Sequence, residues 1–251
     1  MAILAISLRR LLVLLGVLLA GPALALMTDE VSLDRSWSTA SRDSAGLVPP
    51  AATTPEAVVQ VYAARAFDWR GAFAVHTWIA VKPENAPDYT TYEIIGWRYW
   101  RSGNGLTRRE GQPDRHWFGA APHILAELRG AEAAAAIPEI EAAVAGYPFA
   151  RQYRTWPGPN SNTFTAWVGR QVPALRLDLP PTAVGKDYLG MTTFLSAAPS
   201  GTGYQISVLG ALGLLAAREE GVEVNLLGLT FGLDPLGPAF KMPGLGRLGA
   251  G

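Results

Sequence analysis

The sequence predicts an α+β protein: an antiparallel sheet with helices packed on it. Three observations carry that expectation. Phe73–Lys82 and Thr90–Trp100 are rich in apolar, aromatic and β-branched residues and flank a turn region, Pro83–Asp88, so they read as a strand pair. Ala131–Ala136 and Glu139–Ala145 have strong helix propensity. Tyr204–Phe231 contains a clean alternation, Val222-Glu223-Val224-Asn225-Leu226, and reads as a second antiparallel hairpin. With 251 residues, 49% hydrophobic and 17% charged, the chain is long and apolar enough for one large domain with a sizeable core.

Taken in order, residues 1–25 read as a signal peptide or N-terminal anchor. Arg9 and Arg10 precede the apolar run Leu11–Ala20, Gly21-Pro22 interrupts it, and Ala23-Leu24-Ala25 matches a cleavage site. The run is short for a spanning helix, which needs about 20 residues. An uncleaved anchor would use Ile3–Leu26. Residues 26–53 are polar and punctuated, an extended arm or linker. Residues 54–234 form the expected single α+β domain. Thr54-Pro55-Glu56 resembles a helix start, with Val58, Val59, Tyr62 and Ala63 as the apolar face. A third short strand is expected within Leu106–Phe118. Ala121–Leu128 reads as a short helix closed by Gly130, and Pro138 as a break or restart. Trp156-Pro157-Gly158-Pro159 is a rigid turn leading into a helix that opens at Asn160-Ser161-Asn162. Met191–Leu195 is a candidate strand. Near Gly228 the alternation slips, which suggests a bulge. Residues 235–251 form a Gly/Pro-rich C-terminal tail, expected to be peripheral. The apolar run Val208–Ala217 is too short to span a bilayer but could lie on a membrane surface.

Twenty-one basic and 21 acidic residues give no net charge, so no nucleic-acid partner is expected. The absence of cysteine removes disulfides, thiolate metal sites and cysteine nucleophiles together. The three histidines lack metal-site spacing, and neither a metal nor a cofactor is expected. What remains is a serine constellation. A helix N-terminus presents free N–H groups and a positive dipole end, which suit a developing oxyanion. Ser161 stands where a nucleophile would stand, with Asn160 and Asn162 as added donors. His76, between Val75 and Trp78 on an expected strand, is the candidate base. Its orienting partner on the neighbouring strand is Glu93 or Tyr92. Strand parity decides between them, and Glu93 is favoured. Trp78, Tyr92 and His116 are candidate binding residues. The alternative is that Asn160 and Ser161 cap the helix and His76 is a packed structural residue.

Ala74–Lys82, Pro157–Phe164 and Glu223–Leu229 resemble an uncharacterised bacterial envelope family, domain of unknown function 3750. That resemblance implies an exported protein, periplasmic or associated with the inner membrane, and supplies no activity. The order of a histidine strand, a second strand and a helix opening with Asn160-Ser161-Asn162 is also similar to the circularly permuted papain-like group, which includes lecithin:retinol acyltransferase-like proteins. There His76 would match the base and Ser161 the nucleophilic cysteine. This second resemblance implies a hydrolase or acyltransferase acting on an amide or ester of a peptidoglycan peptide or a lipid. The alternative is a non-catalytic ligand-binding or membrane-associated protein of the same fold.

Overall fold

The computed structural model describes the backbone of residues 2–249 and the side chains of residues 8–249. Among the described residues, two antiparallel sheets and four α-helices form the α+β architecture. The first sheet contains β1 (Val58–Arg65), β2 (Val75–Lys82), β3 (Thr90–Ile94), β4 (Leu106–Glu110) and β5 (His123–Arg129), in the spatial order β4-β3-β2-β1-β5. Ahead of it runs α1 (Ala2–Ala25), and within it α2 (Gly96–Ser102) follows β3. Helices α3 (Gly130–Ala145) and α4 (Ser161–Gln171) pack on one face. The second sheet is a seven-stranded meander: β6 (Leu195–Ala197), β7 (Gly203–Val208), β8 (Leu212–Ala217), β9 (Gly221–Leu226), β10 (Leu229–Asp234), β11 (Ala239–Met242) and β12 (Gly246–Gly249), each paired with its neighbours in sequence.

Two segments expected to be helices are strands. In β1, Val58, Val59, Tyr62 and Ala63 do not form one helical face, because every residue from Val58 to Ala64 is buried. A strand between β2 and β5 is covered on both sides, and its β-branched valines suit that pleated setting. The segment at His123 is the edge strand β5, read as a helix because Ala126, Leu125 and Glu127 are good helix formers. Thr90–Trp100 also changes course: the strand ends at Ile94 and α2 begins at Gly96. A side chain at Gly96 would meet the ring of Tyr153 at 2.5 Å, so the missing Cβ lets that ring pack against the start of α2.

Helix α3 runs through Pro138 without a break. Proline removes one N–H, and the carbonyl it would have bonded belongs to Ala134. Both residues lie on the exposed side, where water can satisfy that carbonyl. The opposite side, Ala133, Ala136, Ile137, Ile140, Ala143 and Val144, keeps the i, i+3, i+4 spacing that packs against the first sheet and α4.

The expected bulge at Gly228 is a tight turn. Leu227 and Gly228 both have positive φ, 54° and 78°, and they join β9 to β10 as a two-residue hairpin loop. Residues 235–251, read as a peripheral tail, contribute β11 and β12. Lys241 on β11 is among the most deeply buried side chains of the molecule.

Candidate functional site

Strand alternation assigns the candidate residues to opposite faces of the first sheet. Thr77, Ile79 and Val81 of β2 face the helices; His76, Trp78 and Ala80 face the other way. On β3 the register Ile79↔Tyr92 puts Tyr92 on the helix side, where its hydroxyl meets Glu141 of α3 at 3.3 Å. Glu93 is therefore on the His76 side. Its carboxylate oxygen Oε2 lies 2.9 Å from His76 Nε2, and both residues are buried.

Two residues absent from the sequence-level constellation complete this cluster. Arg115 binds the other carboxylate oxygen of Glu93 through Nη2. Trp117 stacks on the imidazole, with centroids 3.6 Å apart and planes 9° from parallel. Arg115 also lies over the rings of Trp117 and Trp78. Both residues belong to the segment Gln112–Phe118, where the readable signal was a basic, aromatic composition. Which side chain reaches β3 depends on how that loop folds back, and no local pattern encodes it. His116, the residue singled out there, instead places Nδ1 2.9 Å from the carbonyl of Asp43, in the N-terminal arm. Trp78 is fully buried, donating its indole N–H to the Pro113 carbonyl at 2.8 Å.

The electrostatics of the cluster follow from burial and pairing. Burial alone would raise the Glu93 carboxyl. The His76 hydrogen bond and the Arg115 guanidinium outweigh it and hold Glu93 at about 2. Burial pushes the His76 imidazole below its ordinary value, against the pull of Glu93. The consistent state is a carboxylate shared between the Arg115 guanidinium and the Nε2–H of a neutral imidazole. This is a closed ion-pair lock on the face turned away from the helices.

The start of α4 is a separate network. The Asn160 carboxamide oxygen accepts the N–H groups of Asn162 and Thr163 at 2.9 and 3.2 Å. The Thr163 hydroxyl accepts the Asn160 N–H at 3.1 Å, closing a capping box. Asn160 also donates to the carbonyls of Thr155 and Val184. Asn162 donates to the carbonyls of Val75 and Val184, tying the helix to β2. Thr77 is the β2 side chain that faces this helix; its hydroxyl lies 3.0 Å from Asn162 Oδ1 and 2.9 Å from Thr165 Oγ1.

Ser161 and His76 are therefore not brought together. The strand position that faces the first turn of α4 is occupied by Thr77, and His76 is one residue out of phase with it. Among the described residues no hydrogen bond joins Ser161 to His76. Asn160 already occupies the first-turn amides of Asn162 and Thr163, which removes two of the donors an oxyanion site there would use. The opposite sidedness of His76 and Thr77 on β2 gives no support to the permuted papain-like pairing of a strand base with a helix nucleophile.

A third polar group lies between α4 and the inner face of the meander. Lys186 binds Asp187 and Glu223; Lys241 binds Glu223 and Asp178; Arg247 binds Asp178 and Asp234. Asp187 and Glu223 keep Lys186 protonated, raising its ammonium pKa despite burial. Asn225 donates to Asp187 at 2.7 Å, and Arg170 of α4 donates to Gln205 at 2.6 Å. Every charged member has a partner, as buried charges require.

These features define an α+β protein with three buried polar networks and, among the described residues, no hydrogen bond between Ser161 and His76. The chain belongs to the family of proteins of unknown function DUF3750, whose family model matches residues 56–188, more than half of its length. The match spans β1 to the loop after α4, including His76, Glu93, Arg115 and Ser161, and stops before the meander. No curated protein and no solved structure matches the chain.

Proposed function

We propose that the protein is a non-catalytic, membrane-anchored component of the bacterial envelope, held at the inner membrane by α1. The support comes from how α1 is built into the body. Leu11 to Leu15 are five consecutive exposed apolar residues, so this part of the helix is apolar around its whole circumference. The helix then changes character. Leu18 and Ala25 are buried, and Ala25 packs with Val31, Ala72, Phe73 and Leu245.

The observation that carries the reading is the contact at Gly21. A Cβ there would sit 1.9 Å from the Pro243 carbonyl oxygen, and one on Gly244 would sit 2.4 Å from the Pro22 nitrogen. Backbone meets backbone at a Gly–Gly crossing between α1 and the β11–β12 turn. Cleavage after Ala25 would remove one side of that interface and expose Ala72 and Leu245. A dispensable signal has no need of such a fit.

The apolar window Leu8–Ala25 has 18 residues, about 27 Å of helix against a hydrocarbon thickness of about 30 Å. The test is the N-terminus of the protein recovered from membranes of its host. Intact mass and N-terminal peptide mapping are expected to find Leu8–Ala25 in the mature chain. A chain beginning at Leu26 would overturn the anchor.

A further inference from the structure

We infer that the outer face of the seven-stranded meander is a lipid-contact surface, seated on the same membrane leaflet that α1 enters; this rests on the anchor reading above. The sheet is inside out relative to a water-soluble one. One outward row crosses the strands as Leu195, Ile206, Leu214, Val224 and Phe231. The next contains Tyr204, Val222, Leu233, Phe240 and Leu248, all exposed except where a neighbour shades them. The outward strand positions carry no charged side chain. The inward positions instead carry Gln205, Ser207, Glu223, Asn225, Thr230 and Lys241, all buried. Alternation of apolar outside and polar inside is the signature of a sheet surface that meets hydrocarbon.

The occupant is fixed by the ends of the meander. In an up-and-down sheet, alternate turns lie at the same end. The β7–β8, β9–β10 and β11–β12 turns share one end, with tips Leu209, Leu227 and Pro243. Apolar tips are contrary to the usual polar turn. The exposed Trp156 sits there too, donating its indole N–H to the Leu227 carbonyl at 2.7 Å. An amphipathic indole at that position suits a membrane interface. The opposite end carries Arg218, Glu219 and Asp234 beside one exposed Leu236. The apolar end is the one on which α1 docks, through Pro243 and Gly244. The docked turns Leu18–Ala25 belong to the apolar window that α1 needs to approach bilayer thickness, so they bring the turn tips to membrane depth. An open sheet with free edges at β6 and β12 cannot cross hydrocarbon, so it lies against the leaflet.

The cysteine-free sequence makes the test direct. Single variants Ile206→Cys, Leu214→Cys and Phe240→Cys in the full chain carry an environment-sensitive fluorophore. Leu12→Cys in α1 and Glu139→Cys on the exposed side of α3 serve as references. The protein is reconstituted into phosphatidylethanolamine–phosphatidylglycerol vesicles, with and without lipids bearing an acyl-chain nitroxide. The expected result is blue-shifted emission and strong nitroxide quenching at the three sheet positions and at Leu12, with neither at Glu139. Quenching at Leu12 with water-like emission from the sheet would overturn this inference and leave the anchor standing. Loss of quenching at Leu12 as well would overturn both. Sheet labels shielded from water but insensitive to the nitroxide, with cross-links between copies, would assign the face to a second copy and overturn the lipid assignment.

Discussion

The two sheets solve the same problem in opposite ways. In the five-stranded sheet, β1 and β2 are covered on both faces by the protein's own chain: α3 and α4 on one side, and the aromatic loop with Trp117 and Phe118 on the other. Most of its polar inward groups are paired, as Gln60 is with Glu127 and Tyr62, and Glu93 with His76 and Arg115, while the buried Thr91 hydroxyl of β3 has no partner. In the meander the covered face is the charged one and the uncovered face is apolar. Burial of apolar area drives folding, at roughly 25 cal/mol per Å² removed from water. The first sheet obtains it within the chain. The second leaves its apolar rows outside and spends its interior on ion pairs, whose desolvation offsets most of their attraction. Such a division is what the lipid contact proposed for the outer face would favour.

The largest expected effect comes from breaking the inner layer of the meander. Glu223 accepts from both Lys186 and Lys241. Glu223→Leu leaves two buried ammonium groups short of a counter-ion and should cost about 3–5 kcal/mol. Chemical unfolding of the detergent-solubilised protein measures it. The matching change on the outer face, Leu214→Lys, should stay within about 0.5 kcal/mol in the same assay, since Leu214 is 58% exposed. If Leu214→Lys instead cost as much as a core substitution, the outer face would be covered by protein, and the contrast between the sheets would fail.

The polar face of the first sheet predicts a specific acid response. The Glu93 carboxyl is lowered in the fold from 4.5 to about 2. Its contribution is therefore complete above about 4.5 and fades as the pH falls toward 2. At about 1.4 kcal/mol per unit, that is on the order of 3 kcal/mol. His76 acts in the same direction. Its imidazole is held below 6.5, so the unfolded chain takes up the proton first and stability begins to fall as the pH drops below that value. Glu93→Gln should lower stability at neutral pH and flatten the limb between pH 4.5 and 2. An unchanged limb would show that the Glu93 cluster does not control acid unfolding.

A smaller loss is expected where α1 meets the meander. Gly244 has φ +74°, and an added Cβ would meet the Pro22 nitrogen and the Ala72 oxygen at 2.4 and 2.7 Å. Gly244→Val should cost about 2 kcal/mol from backbone strain and the displaced contact. The more telling readout is local: limited proteolysis should begin to cut near Ala25, which is buried in the native chain. Global destabilisation without new cleavage there would mean that α1 is not held by this turn.

Periodicity made the sheets legible where burial was one-sided. The alternation Val222–Leu226 was readable, as were β2, the hairpin pairing of β2 with β3, and the start of α4. It failed where burial was two-sided. Val58–Ala64 has no polar face to set a phase, so a capping-like Thr54-Pro55-Glu56 decided the reading wrongly. At the site, the choice of Glu93 over Tyr92 as the neighbour of His76 was a matter of strand parity, and the register fixes it. Whether β2 turns His76 or Thr77 toward α4 is a question of the same kind. The two flanking residues are one position apart, and nothing local distinguishes them. Arg115 and Trp117 were beyond reach because a folded-back loop delivers them. Gly21 and Gly244 act as a pair separated by most of the chain, and neither carries a signal alone.

Helix α4 is the layer shared by the two sheets: its first turn holds β2 through Asn162, and its last turn holds β6 and β7 through Arg170. The smallest predicted effects lie at its start, and they separate capping from catalysis. Asn160→Ala removes the acceptor of two first-turn N–H groups and should cost about 1–2 kcal/mol. Ser161→Ala should stay within about 0.5 kcal/mol, because the cap is supplied by its neighbour. A serine-directed fluorophosphonate should label the native protein and Ser161→Ala equally weakly. The discriminating outcome is labelling that disappears with Ser161→Ala and also with His76→Ala. A base on the far face of β2 could produce that pattern only if the strand reversed its sidedness, carrying Thr77 away from Asn162 and Thr165. The contacts of Thr77 thus set the condition under which a serine–histidine mechanism could return.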